Sequence, residues 1–297
     1  MSTTIDPTEE VHEYDEFDEF DTAPIGAWTE PHEFIVDRMR LQAYARATND
    51  TVPAHLSGDL ASPIFNVVPA FKVIAPLTED MPPPAKRMMG LHGEQDFRFH
   101  RPIEAGMHLF TKAFPLGVVP HSTGSTITVK GVTSTADGDP VVTQFVTVFI
   151  RTAIAREAVG DGPPPREVHR EAVPLVSVSE AFDVDQTFRY MGASGDTMPL
   201  HSDTTFARQF GLPGIILHGN CTLAFATKAL LEQTCDNDVR RLKRLAVRFS
   251  RWVTPDETLT TRIYRAGKVD GRDVYGFETA VDGGALCLSD GLIEVAP

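Results

Sequence analysis

Residues 190–201, YMGASGDTMPLH, are echoed by residues 44–55, YARATNDTVPAH. Tyr44, Ala47, Asp50, Thr51, Pro53 and His55 fall on Tyr190, Ala193, Asp196, Thr197, Pro199 and His201, each 146 positions later. A second block agrees at a spacing of 150, where Arg98, Phe99, Arg101 and Leu109 fall on Arg248, Phe249, Arg251 and Leu259. Two registers this close, holding over separated blocks, mean one domain present twice, normally packed about a pseudo-twofold axis.

The segments around these blocks repeat as well. Strand-like runs at 94–103, 107–118, 124–135 and 141–151 are separated by turn formers such as VPHSTG and ADGDP. Four more runs, at 243–253, 258–266, 272–281 and 285–295, have Gly267, Asp270, Gly271, Asp282, Gly283 and Gly284 where hairpins should turn. Ahead of the second set lies the apolar run 219–233, charged only at Lys228 and Glu232, enough for a buried helix of about four turns. Ahead of the first lies IFNVVPAFKVIAPL (64–77), where Pro69 and Pro76 predict only short helical pieces. Short helices are also expected over 33–48 and 184–193. Each copy therefore reads as helix, loop, buried helix and antiparallel meander. That is an α+β fold in which one sheet wraps one helix, built twice to form a pseudo-dimer within the chain.

The expected boundaries are an acidic disordered tail (1–29), an N-terminal domain (30–155), a Gly/Pro-rich linker (156–174) and a C-terminal domain (175–297). The length suits two domains, and 42% hydrophobic with 23% charged residues suits a folded globule. The net charge of −14 is concentrated in the tail, where Asp6, Glu9, Glu10, Glu13, Asp15, Glu16, Asp18, Glu19 and Asp21 meet no Lys or Arg. Tyr14, Phe17 and Phe20, three apart, could mark a short docking helix there. The rest of the chain is only mildly acidic and carries no basic stripe to displace counterions from phosphates, which argues against a nucleic-acid partner. No apolar run reaches the about 18–20 residues of a membrane helix, and no export signal is visible. Cys221, Cys235 and Cys287 are scattered, without ligand spacing. A reducing, cytoplasmic location and no bound metal are therefore expected.

The chemistry concentrates between Tyr190 and Gly219. Asp196 and His201 flank Pro199 on one stiffened loop, and an apolar helix opens at His218 and Gly219. A carboxylate and an imidazole facing a helix N-terminus can handle a water and a proton while backbone N–H groups stabilise an anion. The bland alternative is an Asx-type turn with a surface histidine. Gly219 is the candidate oxyanion donor, because helix N-termini carry unpaired N–H groups and glycine permits close approach. His218 reads as ordering the loop, and His92 with Gly93 as structural. Asp50 and His55 keep the same skeleton without an HG-led helix after them, and form a possible second site. Arg240, Arg241, Lys243 and Arg244 could meet phosphates or simply solvate the approach to a strand. No glycine-rich nucleotide loop or Ser–His nucleophile motif is present.

This order of residues resembles the MaoC-like or hydratase-2 family of hot-dog-fold proteins, above all the double-hot-dog (R)-specific 2-enoyl-CoA hydratases. The carrying motif is YMGASGDTMPLH, against a family pattern Tyr-x-x-x-Ser-Gly-Asp-x-Asn-Pro-x-His. ILHGNCTLAF (216–225), DNDVRRLKRLAVRFS (236–250) and LHGEQDFRFHRP (91–102) support it, and the likeness covers nearly everything after about residue 30. Met198 stands where the family has Asn, and Ile215 where a Pro is usual. The resemblance implies two tandem hot-dog domains and a catalytic trio of Asp196, His201 and Gly219, the pair holding one water between them. It implies substrate contacts at Met198, Pro199, His218, Asn220, Arg241 and Lys243, and an N-terminal half given over to the acyl chain. The space left by a broken 64–77 helix would suit that chain. The substrate would be an acyl-CoA or acyl-carrier thioester, with no redox cofactor, and two chains are expected to pair. Thioester hydrolysis and a non-catalytic acyl-thioester-binding subunit are the competing readings.

Overall fold

The computed structural model describes residues 17–168 and 170–297. The first half runs β1 (His32–Ile35), α1 (Arg38–Ala47), the short α2 (Pro53–Leu56), α3 (Val67–Asp80), β2 (Gly90–Phe99), β3 (His108–His121), β4 (Gly124–Thr135), β5 (Pro140–Arg151) and β6 (Val159–Gly160). The second runs β7 (Val176–Ala181), α4 (Gln186–Ser194), α5 (Thr204–Gln209), α6 (Gly219–Thr234), β8 (Leu242–Phe249), β9 (Thr258–Val269), β10 (Arg272–Ala280) and β11 (Leu286–Val295). The strands form one 11-stranded sheet in the order β1-β3-β4-β5-β2-β8-β11-β10-β9-β7, with β6 added to β3. The order reads the same from both ends once repeat-equivalent strands are matched. It is two antiparallel sheets, each wrapped on a helix, joined through β2 and β8.

The repeat spacing locates the axis. Across the β2–β8 seam, Asp96 faces Ala246, Glu94 faces Arg248 and Arg98 faces Arg244. Asp96 and Ala246 are themselves 150 apart, so equivalents meet there and cross over on either side. Arg244 clamps the seam, its Nε and Nη2 lying 3.1 and 2.8 Å from the two Asp96 carboxylate oxygens. On the helical layer the equivalent tyrosines Tyr44 and Tyr190, both buried, bring their hydroxyls to 3.1 Å. Twofold-related residues can touch only at the axis, so these contacts fix it at two depths.

The central helices differ. α6 is buried along most of its length, as its nearly uncharged sequence requires. α3 is one continuous helix, which corrects the expectation of short pieces. Pro69 lies in the first turn, where its missing N–H would be unpaired in any case. Only Pro76 removes an interior bond, and burial of Val68, Ala70 and Ile74 offsets that loss. Ile74 presses so closely on β4 that a Cβ at Gly131 would stand 2.9 Å from its Cδ1. The break in the helix on which the expected gap rested is therefore absent.

Two further expectations change. Residues 17–29 are not a loose tail. The Asp18 N–H donates to Ile154 O, the Thr29 N–H donates to Ala113 O, and Phe20 is buried with Ala113, Val118 and Ala155. One aromatic ring in an apolar notch outweighs the local acidity. Phe17 and Phe20 lie on non-helical backbone, while Tyr14 and the rest of 1–16 fall outside the described residues. The 156–174 segment runs over the sheet, with β6 paired to β3, Arg166 bonded to Glu94 and Arg170 to Glu278. The edge strands β1 and β7 and the small helix α5 were not foreseen. No helix among the described residues is long and apolar enough to cross a membrane.

Candidate functional site

α4 ends at Gly195, whose φ of 83° suits glycine and turns the chain sharply into Asp196. Asp196 Oδ1 accepts the Met198 N–H at 3.2 Å, and Pro199–His201 make one 3₁₀ turn. Residues 202–217 then bulge outward around α5, which Asp203 caps by accepting from the Thr205 and Phe206 N–H groups. Leu200, Ala207, Leu212 and Ile216 give this bulge its own small core, with Met198 packed against it. The side chain replacing the family asparagine thus anchors the loop by apolar contact. Pro199 is exposed beside it.

His201 Nδ1 lies 2.9 Å from Ile216 O. A carbonyl oxygen only accepts, so Nδ1 carries the proton and Nε2 keeps its lone pair. Burial lowers the His201 pKa below the ordinary imidazole value, against the opposing pull of the Asp196 charge and the Ile216 carbonyl. His218 stacks on His201 with ring centroids 3.7 Å apart. Its Nε2 donates to Asp196 O at 3.1 Å, and Thr187 Oγ1 stands 3.3 Å from its Nδ1 and 2.9 Å from His201 O, with one hydroxyl proton to give to either. Burial, and then the neighbouring His201, push His218 down to about 3, so it is neutral and clamps the loop.

Asp196, His201 and His218 each place one donor atom within 4.8 Å of the others, close enough for a cation to bridge. Both His218 nitrogens and His201 Nδ1 already have protein partners. That leaves the half-buried Asp196 carboxylate and His201 Nε2, which make a better cradle for water than for a metal.

The His218–Gly219 step opens α6, and as its first residue Gly219 has no intrahelical acceptor for its N–H. A Cβ there would stand 3.2 Å from the Phe249 ring. Phe249 in turn packs on His92 of the other half, with ring centroids 4.3 Å apart. His92 is lowered to about 4 by burial, and its Nε2 has no partner among the described residues. Asn220 Oδ1 is likewise buried without a partner. The sequence places His92 in a strand as a structural residue, and the β2–β8 pairing adds its contact with Phe249 beside Gly219.

The first-half loop folds differently. His55 Nδ1 lies 2.7 Å from Asp50 Oδ2, Ser62 Oγ donates to the same oxygen at 2.5 Å, and the Val52 N–H donates to Oδ1 at 2.9 Å. Asp50 and His55 are 9% and 1% exposed, so the pair is closed to solvent. Burial opposes ionisation of Asp50, but the bonds and charge of His55 with the bonds from Ser62 and Val52 outweigh it and hold the carboxyl below its usual range. Arg241 and Lys243 do not join Asp196. Arg241 pairs with Asp236 and donates to Ala296 O, and Lys243 lines a separate cleft with Asn66, Phe99 and His100.

Compared with known proteins, residues 164–282 match the family model of the MaoC like domain, and residues 23–144 match that of the FAS1-like dehydratase domain region. A probable enoyl-CoA hydratase 2 of Dictyostelium discoideum is 30% identical over 213 residues, 71% of each chain. The crystal structure of a MaoC-like dehydratase from Phytophthora capsici superposes with a TM-score of 0.78 at 28% identity, covering 91% of this chain and 95% of that one. A conserved Mycobacterium tuberculosis protein described as a double hotdog fold superposes with a TM-score of 0.63 over 95% of this chain and 98% of its own, at 12% identity, a likeness of fold alone.

Proposed function

The chain belongs to the MaoC-like dehydratase and enoyl-CoA hydratase 2 family, and from that membership we propose that it adds water to trans-2-enoyl-CoA with (R) stereochemistry, or removes it from the 3-hydroxyacyl thioester. The observation that carries the reading is the free Nε2 of His201 beside the Asp196 carboxylate, at the mouth of the helix opened by Gly219. One water sits between the two side chains. As its oxygen bonds to the β-carbon, one O–H bond breaks, and a proton is delivered to the α-carbon from the same pair. Water supplies both the hydroxyl and the hydrogen, so Asp196 and His201 end each turnover as they began. The Gly219 N–H receives the charge that gathers on the thioester oxygen, aided by the helix dipole. No redox step occurs, and no metal or cofactor is assigned.

The test is a panel of enoyl-CoA thioesters of graded chain length, followed by loss of the conjugated absorbance and by a thiol-reactive dye. Consumption of the double bond without thiol release is expected, falling by about 10²–10⁴-fold in Asp196→Asn and His201→Ala. Released thiol would make the protein a thioesterase. Stabilisation by enoyl-CoA without turnover would make it a binding subunit.

A further inference from the structure

The pseudo-twofold axis carries the wall of the Asp196 site onto a second cleft in the first half. Phe249 and Arg251 map at a spacing of 150 onto Phe99 and Arg101, and the His218 cap of α6 corresponds to the Asn66 cap of α3. Those first-half residues line a shallow cleft open to solvent. The chemistry has been removed from it. Val67 occupies the first helical position, where α6 has Gly219, and Asp50 with His55 are locked to each other.

Hydrogen-bond donors have been added instead. His100, Lys243 and Arg240 line the cleft at positions whose equivalents at the same spacing are Ser250, Gly93 and Gly90. Lys243 has no ion pair among the described residues, and it contributes, after burial and with Arg98, to lowering the His100 pKa. Arg240 and Arg101 are held at the rim by Asp238 and Asp139. At the base, Asn66 is 4% exposed and donates its amide N–H to Pro63 O, while its Oδ1 has no donor. An orphaned buried acceptor, an aromatic wall and one lysine without an ion pair together call for a ligand with an N–H donor, apolar surface and phosphate charge.

We propose that this first-half cleft is a non-catalytic binding site for coenzyme A or its thioesters, with phosphates at Lys243 and His100 and a pantetheine amide N–H on Asn66 Oδ1. The choice of coenzyme A rests on the hydratase reading, since the residues of this cleft are the repeat counterparts of those around Asp196. Calorimetric titration of the full chain with coenzyme A tests it. Two equivalents per chain are expected, and His100→Glu combined with Lys243→Glu should remove one or weaken it at least tenfold. If that variant folds poorly, Arg240→Glu alone should weaken the same equivalent by a smaller factor. One equivalent in the wild type, or two unweakened equivalents in the folded variant, overturns the proposal. Failure of the hydratase reading would show separately, as no water addition to enoyl-CoA whatever the stoichiometry.

Discussion

The two Asp–Thr–x–Pro–x–His loops began as one motif and now do opposite things. From His55 to the Asn66 cap of α3 the chain takes eleven steps, and from His201 to the His218 cap of α6 it takes seventeen. The six extra residues carry α5 and its small core, and they bring Ile216 O to His201. His201 therefore spends its Nδ1 proton on a carbonyl and keeps Nε2 free, with Asp196 open beside it. In the shorter loop no such carbonyl is supplied, and His55 turns to Asp50, with Ser62 closing the cluster. Loop length decides which acceptor the imidazole meets, and that separates an open pair from a closed one.

The sharpest way to break this comparison is to exchange the consequences. Asp196→Asn should cost about 10²–10⁴ in kcat while leaving the melting temperature nearly unchanged. Asp50→Ala should do the reverse, keeping the chemistry but destabilising the fold by about 3–5 kcal/mol in denaturant titrations, because His55 would be left buried without its partner. Equal rate losses from both would erase the distinction. Gly219→Ala comes next. Its Cβ must displace the Phe249 ring, so loss of the donor geometry should cost about 10²–10³ in rate.

pH separates the loops more gently. The Asp50 carboxyl titrates below its ordinary value of about 3.9 when folded, so its contribution is complete above that pH. Below it the unfolded chain binds the proton first, and stability falls until the folded value is passed. Denaturation midpoints of the wild type should therefore drop more steeply than those of Asp50→Asn as pH falls below about 4. His201, lowered by burial, is the free base at neutral pH, so kcat/KM should stay level there and decline only below about 6.5, the ordinary imidazole value. An acid limb above that value would contradict the environment seen around the ring. The smallest expected effect is at the axis. Tyr44→Phe removes one hydroxyl of the Tyr44–Tyr190 pair and should cost about 0.5–1.5 kcal/mol.

Much of this was legible in one dimension. The matched blocks gave the duplication, the two spacings located equivalent strands, and the Asp–His loop with its HG-led helix marked the candidate site. The misreadings have physical causes. Pro69 and Pro76 looked like helix breakers because propensity ignores position within a helix and the packing of Ile74 on β4. The segment containing Phe20 looked unfoldable because its apolar notch is assembled from residues remote in sequence, among them Met81, Ala113 and Ala155. His92 and Lys243 were placed by local context, and pairing of β2 with β8 sent one to the Asp196 site and the other to the opposite cleft.

The sequence by itself determined that one domain occurs twice, how each copy orders its elements and which loop bears a carboxylate and an imidazole, because spacing and polarity are properties of the chain. Only the tertiary structure decided which imidazole stays free and which is locked, and which side chains cross the seam to furnish each cleft. Those outcomes depend on distances of a few ångströms between groups remote in sequence, set by the twofold packing and by a six-residue difference in loop length.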